Sequence, residues 1–203
     1  MARVSGLAAK ILFVAMDRGG YGGADEELFA DAQSAFRRAF ELPQNPHMGG
    51  AALILKHLID ERDTRKFSGQ CALTNAVKCV QPTCSMSTNA TPEMIGNCAA
   101  HLRAEIQELQ PDIVITQGGH PTRTVIETIA GLREVGQFAG DRKGQATVLS
   151  SSSVVVLTTP HPARQDGLKW SRGILSQFFL DAIDVARAEL TRYLEIRKAT
   201  ESA

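Results

Sequence analysis

The stretch ILFVAMDRGGYGG, residues 11–23, places an apolar segment with the composition of a buried strand directly before a glycine-rich loop. Proteins that cradle a phosphate use this arrangement, because glycine lets backbone N–H groups approach the phosphate closely. The spacing does not favour that function here. Residues 20–22 begin a G-x-G-x-x-G pattern, but its sixth position is Asp25, and no Gly-Lys-Ser/Thr follows. The alternative is that the loop presents Asp17.

Three further apolar runs rich in Val, Ile and Leu have the composition of buried strands, and helical periodicity occupies the stretches between them. This alternation predicts an α/β fold, a three-layer α/β/α sandwich with a four-stranded, mainly parallel sheet. No linker or repeat divides the chain, so residues 1–203 are expected to form a single domain. The predicted strands are 11–16, 72–77, 112–116 and 154–158, the predicted helices are 25–40, 50–60, 92–109, 122–129 and 174–197, and 146–149 is expected to form a hairpin with 154–158.

Composition and charge limit the possible partners and compartments. The 22 basic and 22 acidic residues cancel, so any nucleic-acid contact must come from a local basic patch. The apolar run before Asp17 is too short for a signal-peptide core or a membrane span, so a cytoplasmic protein without membrane contact is expected. Four cysteines in such a protein are not expected to form disulfides, which leaves metal binding, catalysis or burial.

Polar residues follow the predicted strands where a ligand site is expected. Asp17, Asn75 and His161 come at or just after the ends of the first, second and fourth strands. In an open parallel sheet the carboxyl ends of the strands form the ligand crevice, so one crevice gathers an acid, an amide and an imidazole. Each has a structural alternative: a turn cap, a buried amide or a packed histidine. The histidines show no H-x-x-x-H spacing, so a zinc site is not expected.

Three longer segments add a resemblance that spacing alone does not establish. They read LTNAVKCVQPT (73–83), PEMIGNCAAHLRAEIQELQPDIVITQGG (92–119) and LTTPHPAR (157–164). In this order they resemble the uracil-DNA glycosylase superfamily, most closely its iron–sulfur bacterial and archaeal branch, over roughly residues 10–165. NPHMGGAALILKHLI (45–59) is similar to a further segment of that branch. The resemblance implies a DNA-repair enzyme that hydrolyses the N-glycosidic bond of uracil, or of a related damaged pyrimidine, by flipping the base out of DNA.

The resemblance also implies roles for individual residues. Asp17 matches the residue that orients or activates the attacking water, and His161 matches the histidine that hydrogen-bonds the leaving base where negative charge collects. Asn75 matches the amide that pairs with the hydrogen-bonding edge of uracil. His47 stands where the branch stacks a phenylalanine on the base. The expected base-binding residues are Asn75, His47, Met16 and Gly118.

The first motif departs from the branch. In AMDRGG, residues 15–20, Arg18 replaces a proline and Ala15 replaces the leading glycine. Either the water loop is built differently, or hydrolysis is weak or redirected. The alternative function is therefore a non-catalytic or redirected member of the same fold that binds a nucleobase or nucleic acid.

The cysteines match the cluster of the branch only in part. Cys79 and Cys98 match two of its four ligands, but the chain lacks the N-terminal Cys-x-x-Cys that supplies the other two. Cys71 is expected at the end of the sheet far from Cys79, because Cys79 comes eight residues later and eight extended residues span roughly 26 Å. Only Cys79, Cys84 and Cys98 are then left as candidate cluster ligands, whereas clusters normally take four. We therefore expect no required cofactor, with a 4Fe-4S cluster as the less favoured alternative.

A local group of basic residues follows the last motif. Arg164, Lys169 and Arg172 surround the loop after His161, where members of the superfamily insert a wedge into the minor groove. The expected partner is DNA that contains uracil or another deaminated or damaged base, bound by a monomer. The alternative is that these residues form the solvated start of the last helix.

Overall fold

The computed structural model describes residues 2–15, 46–60, 71–78, 91–139, 144–161, 168–169 and 174–202. Within these ranges a central sheet carries helices on both faces. The six strands of the central sheet are β3 (Ile11–Ala15), β4 (Cys71–Asn75), β5 (Ile113–Gln117), β6 (Arg133–Ala139), β7 (Gln145–Ser150) and β8 (Val155–Thr159). Two separate two-stranded pairs are formed by β1 (Ala2–Val4) with β2 (Leu7–Ala9) and by β9 (Leu168–Lys169) with β10 (Ile174–Leu175). The helices are α1 (Pro46–Leu58), α2 (Pro92–Leu109), α3 (Gly119–Thr128) and α4 (Gln177–Glu201).

The central sheet has the strand order β4-β3-β5-β8-β7-β6. The first four strands run parallel, and β7 and β6 are antiparallel additions. Every residue of β3, β5 and β8 is buried, as expected for parallel strands covered on both faces. The predicted α/β fold with a mainly parallel sheet is confirmed, but the sheet has six strands rather than four.

The four predicted strands are present with their ends shifted by at most two residues, and the β7–β8 hairpin is confirmed. The prediction missed β6, because this strand is mostly exposed and its apolar residues are interrupted at Gly136, where the pairing with β7 shifts register. It also missed the short pairs β1–β2 and β9–β10. The predicted helix 174–197 begins only at Gln177, since Ile174–Leu175 pairs with β9 instead. The predicted helix 25–40 lies outside the described residues.

Helix α2 has the bounds that its sequence predicts. The Thr91 hydroxyl accepts a hydrogen bond from the Met94 N–H at 3.2 Å, and Pro92 occupies the first turn, where its missing N–H costs nothing. Gln110 ends the helix in the left-handed conformation, with φ of 45°. Among the described helices, none combines the length and apolar character needed to cross a membrane.

Alternating side chains divide the core between the two faces of the sheet. Ile11 and Phe13 of β3 pack with residues of α1 and α4, whereas Leu12 and Val14 pack with residues of α2 and α3. We call these the α1/α4 face and the α2/α3 face. The division produces the predicted three layers.

A buried carboxylate fastens the last helix to the amino ends of the strands. Asp112 is 1% exposed, and its Oδ2 accepts a hydrogen bond from the Lys10 N–H at 2.7 Å. The Arg197 guanidinium of α4 donates to Oδ1 of the same carboxylate and, at 3.2 Å, to the Ala8 carbonyl. Burial raises the pKa of Asp112, while the Lys10 N–H and the Arg197 charge oppose that rise. This network lies at the edge of the sheet opposite the candidate site.

Candidate functional site

The last residues of the four parallel strands form a row across the carboxyl edge of the sheet. Asn75 of β4 pairs with Ala15 of β3, and Gln117 of β5 pairs with Thr159 of β8. Neighbouring strands lie about 4.8 Å apart, so the row spans roughly 14 Å. An amide thus stands at one end, and the chain toward His161 leaves from the other end. This is the edge at which open parallel sheets bind ligands.

The side chains of this row point to one face. Residues two positions earlier, such as Leu73 and Leu157, pack on the α1/α4 face, and strand side chains repeat every second residue. Asn75 is partly exposed, whereas the Gln117 amide is completely buried. The predicted strand 112–116 ends before Gln117, and no site role is predicted for this residue. Its signal was a polar residue that ends an otherwise apolar run.

Gly118 brings His161 against the end of β5. The Gly118 N–H donates to the Thr159 carbonyl at 2.9 Å, which joins the loops after β5 and β8. Gly118 has φ of 106°, a conformation that favours glycine, and a Cβ built there would lie 3.3 Å from Cδ2 of His161. Two of the predicted site residues therefore meet, and the absence of a side chain at 118 makes room for the imidazole.

Threonine hydroxyls hold the loop that contains Gly118. The Thr159 hydroxyl donates to the Thr116 carbonyl at 2.8 Å. The hydroxyls of Thr116 and Thr122 share a hydrogen bond of 2.6 Å, and Thr122 Oγ1 is 2.8 Å from the Gly118 carbonyl. These bonds fix the first turn of α3 to the strand ends, so the surroundings of His161 are set by the scaffold.

The other end of the row holds Asn75 beside the start of the first loop. The Ala76 N–H donates to the Ala15 carbonyl at 2.8 Å, so the end of β3, two residues before Asp17 in the sequence, lies beside Asn75. Several predicted site residues lie outside the described residues: Met16, Asp17, Cys79, Cys84, Arg164 and Arg172. For two others only the backbone is described, in the first turn of α1 for His47 and in β9 for Lys169.

The two described cysteines lie on opposite faces of the sheet. Cys71 is the first residue of β4, rather than preceding it as predicted, and it packs on the α1/α4 face at the amino edge. Burial raises its pKa to about 12, so it remains a thiol. Cys98 is buried in α2, and its Sγ accepts the Lys78 N–H at 3.3 Å. Among the described residues no group of three or more His, Cys, Asp and Glu side chains could hold a metal ion.

Comparison with solved structures finds a crystal structure of a domain of unknown function (DUF1537) from Bordetella bronchiseptica, a domain-swapped dimer with bound citrate. The match has 11% sequence identity and a TM-score of 0.37, and it covers 90% of this chain and 42% of that one. The chain thus spans less than half the length of that structure, and a similarity of this size carries no argument about function. No curated protein matches the chain.

A family model does match. The model of the uracil DNA glycosylase superfamily covers residues 3–180, which include the whole parallel part of the sheet and every predicted site residue. The members of this superfamily are in general DNA glycosylases. The match spans far more than half of the chain, and the parallel sheet with helices on both faces agrees with it. The chain therefore belongs to the uracil DNA glycosylase superfamily.

Proposed function

We propose that the protein is a DNA glycosylase that flips uracil, or a related damaged pyrimidine, out of DNA and hydrolyses its N-glycosidic bond. The observation that carries this proposal is the placement of the Asn75 amide and the His161 imidazole along one carboxyl edge, in a chain of this superfamily. Asn75 ends β4 and His161 lies two residues after β8, so the two groups can meet the same flipped base from different sides.

The proposed chemistry divides the work between these groups. Negative charge develops on the departing base, and a hydrogen bond from His161 to the carbonyl oxygen of that base stabilises the charge. When its oxygen faces N3–H and its NH2 group faces O4, the Asn75 carboxamide suits uracil and opposes the N3 and amino group of cytosine. Asp17, two residues after Ala15, would orient the water and stabilise the positive sugar.

Uracil release by purified protein tests the proposal. Single- and double-stranded oligonucleotides with one uracil are incubated with the protein, and abasic sites are then cleaved with alkali. We expect strand breaks at uracil only. Binding to these oligonucleotides without cleavage would instead favour a non-catalytic binder, the alternative that the altered residues Ala15 and Arg18 support. If the protein neither binds nor cleaves oligonucleotides with any deaminated base, both proposals are overturned.

Asn75→Asp is expected to lower kcat/KM for uracil by about 10- to 100-fold and to reduce the preference for uracil over cytosine. The reason is that the carboxylate keeps the size of the amide but loses its donor and repels the uracil oxygen. The kcat/KM values for oligonucleotides that differ only in the target base measure this effect. Asn97→Asp, a change at an exposed position of α2, is the matched control and should leave both values unchanged. An unaltered preference in Asn75→Asp would contradict the assignment.

We propose that this reaction needs no cofactor and that the chain does not assemble a cluster of four thiolates. Cys71 and Cys98 lie on opposite faces of the sheet, so all four cysteines cannot share one site and at most three thiolates can. Three thiolates do not fit a cluster with four cysteine ligands. The chain would then resemble the iron–sulfur branch in sequence but lack its cluster. The purified protein should be colourless and free of iron, and a brown protein with stoichiometric iron would overturn this proposal.

We propose that DNA phosphates bind the basic segment that contains Arg164, Lys169 and Arg172. Lys169 lies in β9, which pairs with Ile174–Leu175 as a two-stranded antiparallel hairpin before α4. β9 begins seven residues after His161 in the chain. Affinity for the oligonucleotides should fall steeply as the salt concentration rises. A salt-independent affinity would contradict phosphate contacts.

A further inference from the structure

We propose that Lys78, held by Glu105, is a positioning residue that fixes the main chain of Asn75 for base recognition. The inference rests on the proposed function, because it assigns a task to Lys78 within that same site. It concerns two residues that take no part in the chemistry proposed above.

The three donors of the Lys78 ammonium have three acceptors. Nζ donates to the Asn75 carbonyl at 2.9 Å, to Glu105 Oε2 at 2.7 Å and to the Thr74 hydroxyl. The Thr74 hydroxyl in turn donates to Glu105 Oε2 at 2.7 Å. The side chains of Lys78 and Glu105 are 29% and 37% exposed, so both give up part of their hydration for this arrangement. An ammonium group that donates all three of its hydrogens to such acceptors is held in one position.

These bonds close the turn that follows β4. The Lys78 side chain returns to the carbonyl of Asn75, three residues earlier, and encloses Ala76 and Val77, which are completely buried. The Lys78 N–H is anchored separately to Cys98 Sγ at 3.3 Å. The turn is thus tied to α2 through both a side chain and the backbone, while Ala76 ties it to β3.

The network contacts β4 on the face opposite the one at which the base is proposed to bind. Side chains alternate along β4, so Thr74 and Asn75 point to opposite faces of the sheet. Glu105 belongs to α2, which covers the α2/α3 face, and it reaches Thr74 there. The Asn75 carboxamide therefore points to the α1/α4 face, while the main chain of Asn75 is held by hydrogen bonds from the α2/α3 face. Lys78 acts through Asn75 and does not touch the base, which makes it a positioning residue.

Substitution of the network separates positioning from general stability. Lys78→Met keeps the length of the side chain without its donors, and Glu105→Leu removes the acceptor that orients Lys78. Each is expected to lower kcat/KM for uracil by about tenfold and to reduce the preference over cytosine, with the loss mainly in KM. Glu105→Gln keeps an acceptor for Lys78 and should therefore retain most of the wild-type kcat/KM and preference for uracil. Lys198→Met, at an exposed position of α4, is the control.

A second measurement does not depend on turnover. Hydrogen exchange of the Ala76 amide, which donates to Ala15, should accelerate about tenfold in Lys78→Met and Glu105→Leu but not in Glu105→Gln or Lys198→Met. Wild-type protein that releases no uracil would overturn the proposed function alone, while the exchange rates would still decide whether Lys78 fixes this turn. Unchanged exchange and an unchanged base preference in both disruptive variants would overturn the inference. Equal losses in Glu105→Gln and Glu105→Leu would do so as well.

Discussion

Replacement of His161 by alanine is expected to slow uracil release by about 10²- to 10³-fold, because it removes a hydrogen bond aimed at charge that develops only in the transition state. The partly buried position of His161 strengthens such a bond. Single-turnover rates on a uracil-containing oligonucleotide measure the chemical step separately from product release. His101→Ala, at an exposed position of α2, should retain the wild-type rate.

Gly118→Ala tests whether the position of the imidazole matters as well as its presence. The added Cβ would lie 3.3 Å from His161 Cδ2, and φ of 106° strains any residue with a side chain. We expect an intermediate loss of rate, about tenfold, with His161 still present. Wild-type rates in His161→Ala would remove the histidine from the mechanism, whatever Gly118→Ala does.

Asp112→Ala is expected to lower the free energy of unfolding by about 3 kcal/mol. The substitution removes the buried carboxylate partner of Arg197 and the acceptor of the Lys10 N–H, at a position that is 1% exposed. Urea unfolding followed by circular dichroism measures the change. Asp184→Ala, at an exposed position of α4, should change the free energy by less than about 0.5 kcal/mol. Equal values for the two variants would show that the network contributes nothing.

The raised pKa of Asp112 adds a dependence on pH. A carboxyl whose pKa is higher in the folded than in the unfolded protein binds its proton more tightly when folded, so its contribution to stability is greatest at low pH. That contribution is lost as the pH rises from the usual aspartate value of about 3.9 through the raised value. Wild-type stability relative to Asp112→Asn should therefore fall over this range. A difference that grows with pH would mean that the pairing with Arg197 outweighs burial.

The parts of the fold that the sequence predicts well are those with a strong local signal. The parallel strands are short runs rich in Val, Ile and Leu, and α2 has a threonine cap, a proline in its first turn and apolar residues at helical spacing. β6 has no such signal, because one glycine and several exposed polar residues interrupt it, and its pairing with β7 supplies what its own composition lacks. The proposed site rests on the same kind of local signal, since Asn75 ends one of these strands and His161 lies two residues after another.

Local patterns in the sequence are enough to predict that strands and helices alternate, and a parallel sheet built from them must collect the residues after its strands at one edge. Which of those residues meet depends on how the strands and helices are arranged in three dimensions. Gly118 reaches His161 because β5 and β8 are neighbours, and Lys78 reaches Glu105, 27 residues away, because α2 packs behind β4. The physical reason is that strand order and helix packing depend on contacts between segments distant in the chain, whereas local sequence patterns describe each segment alone.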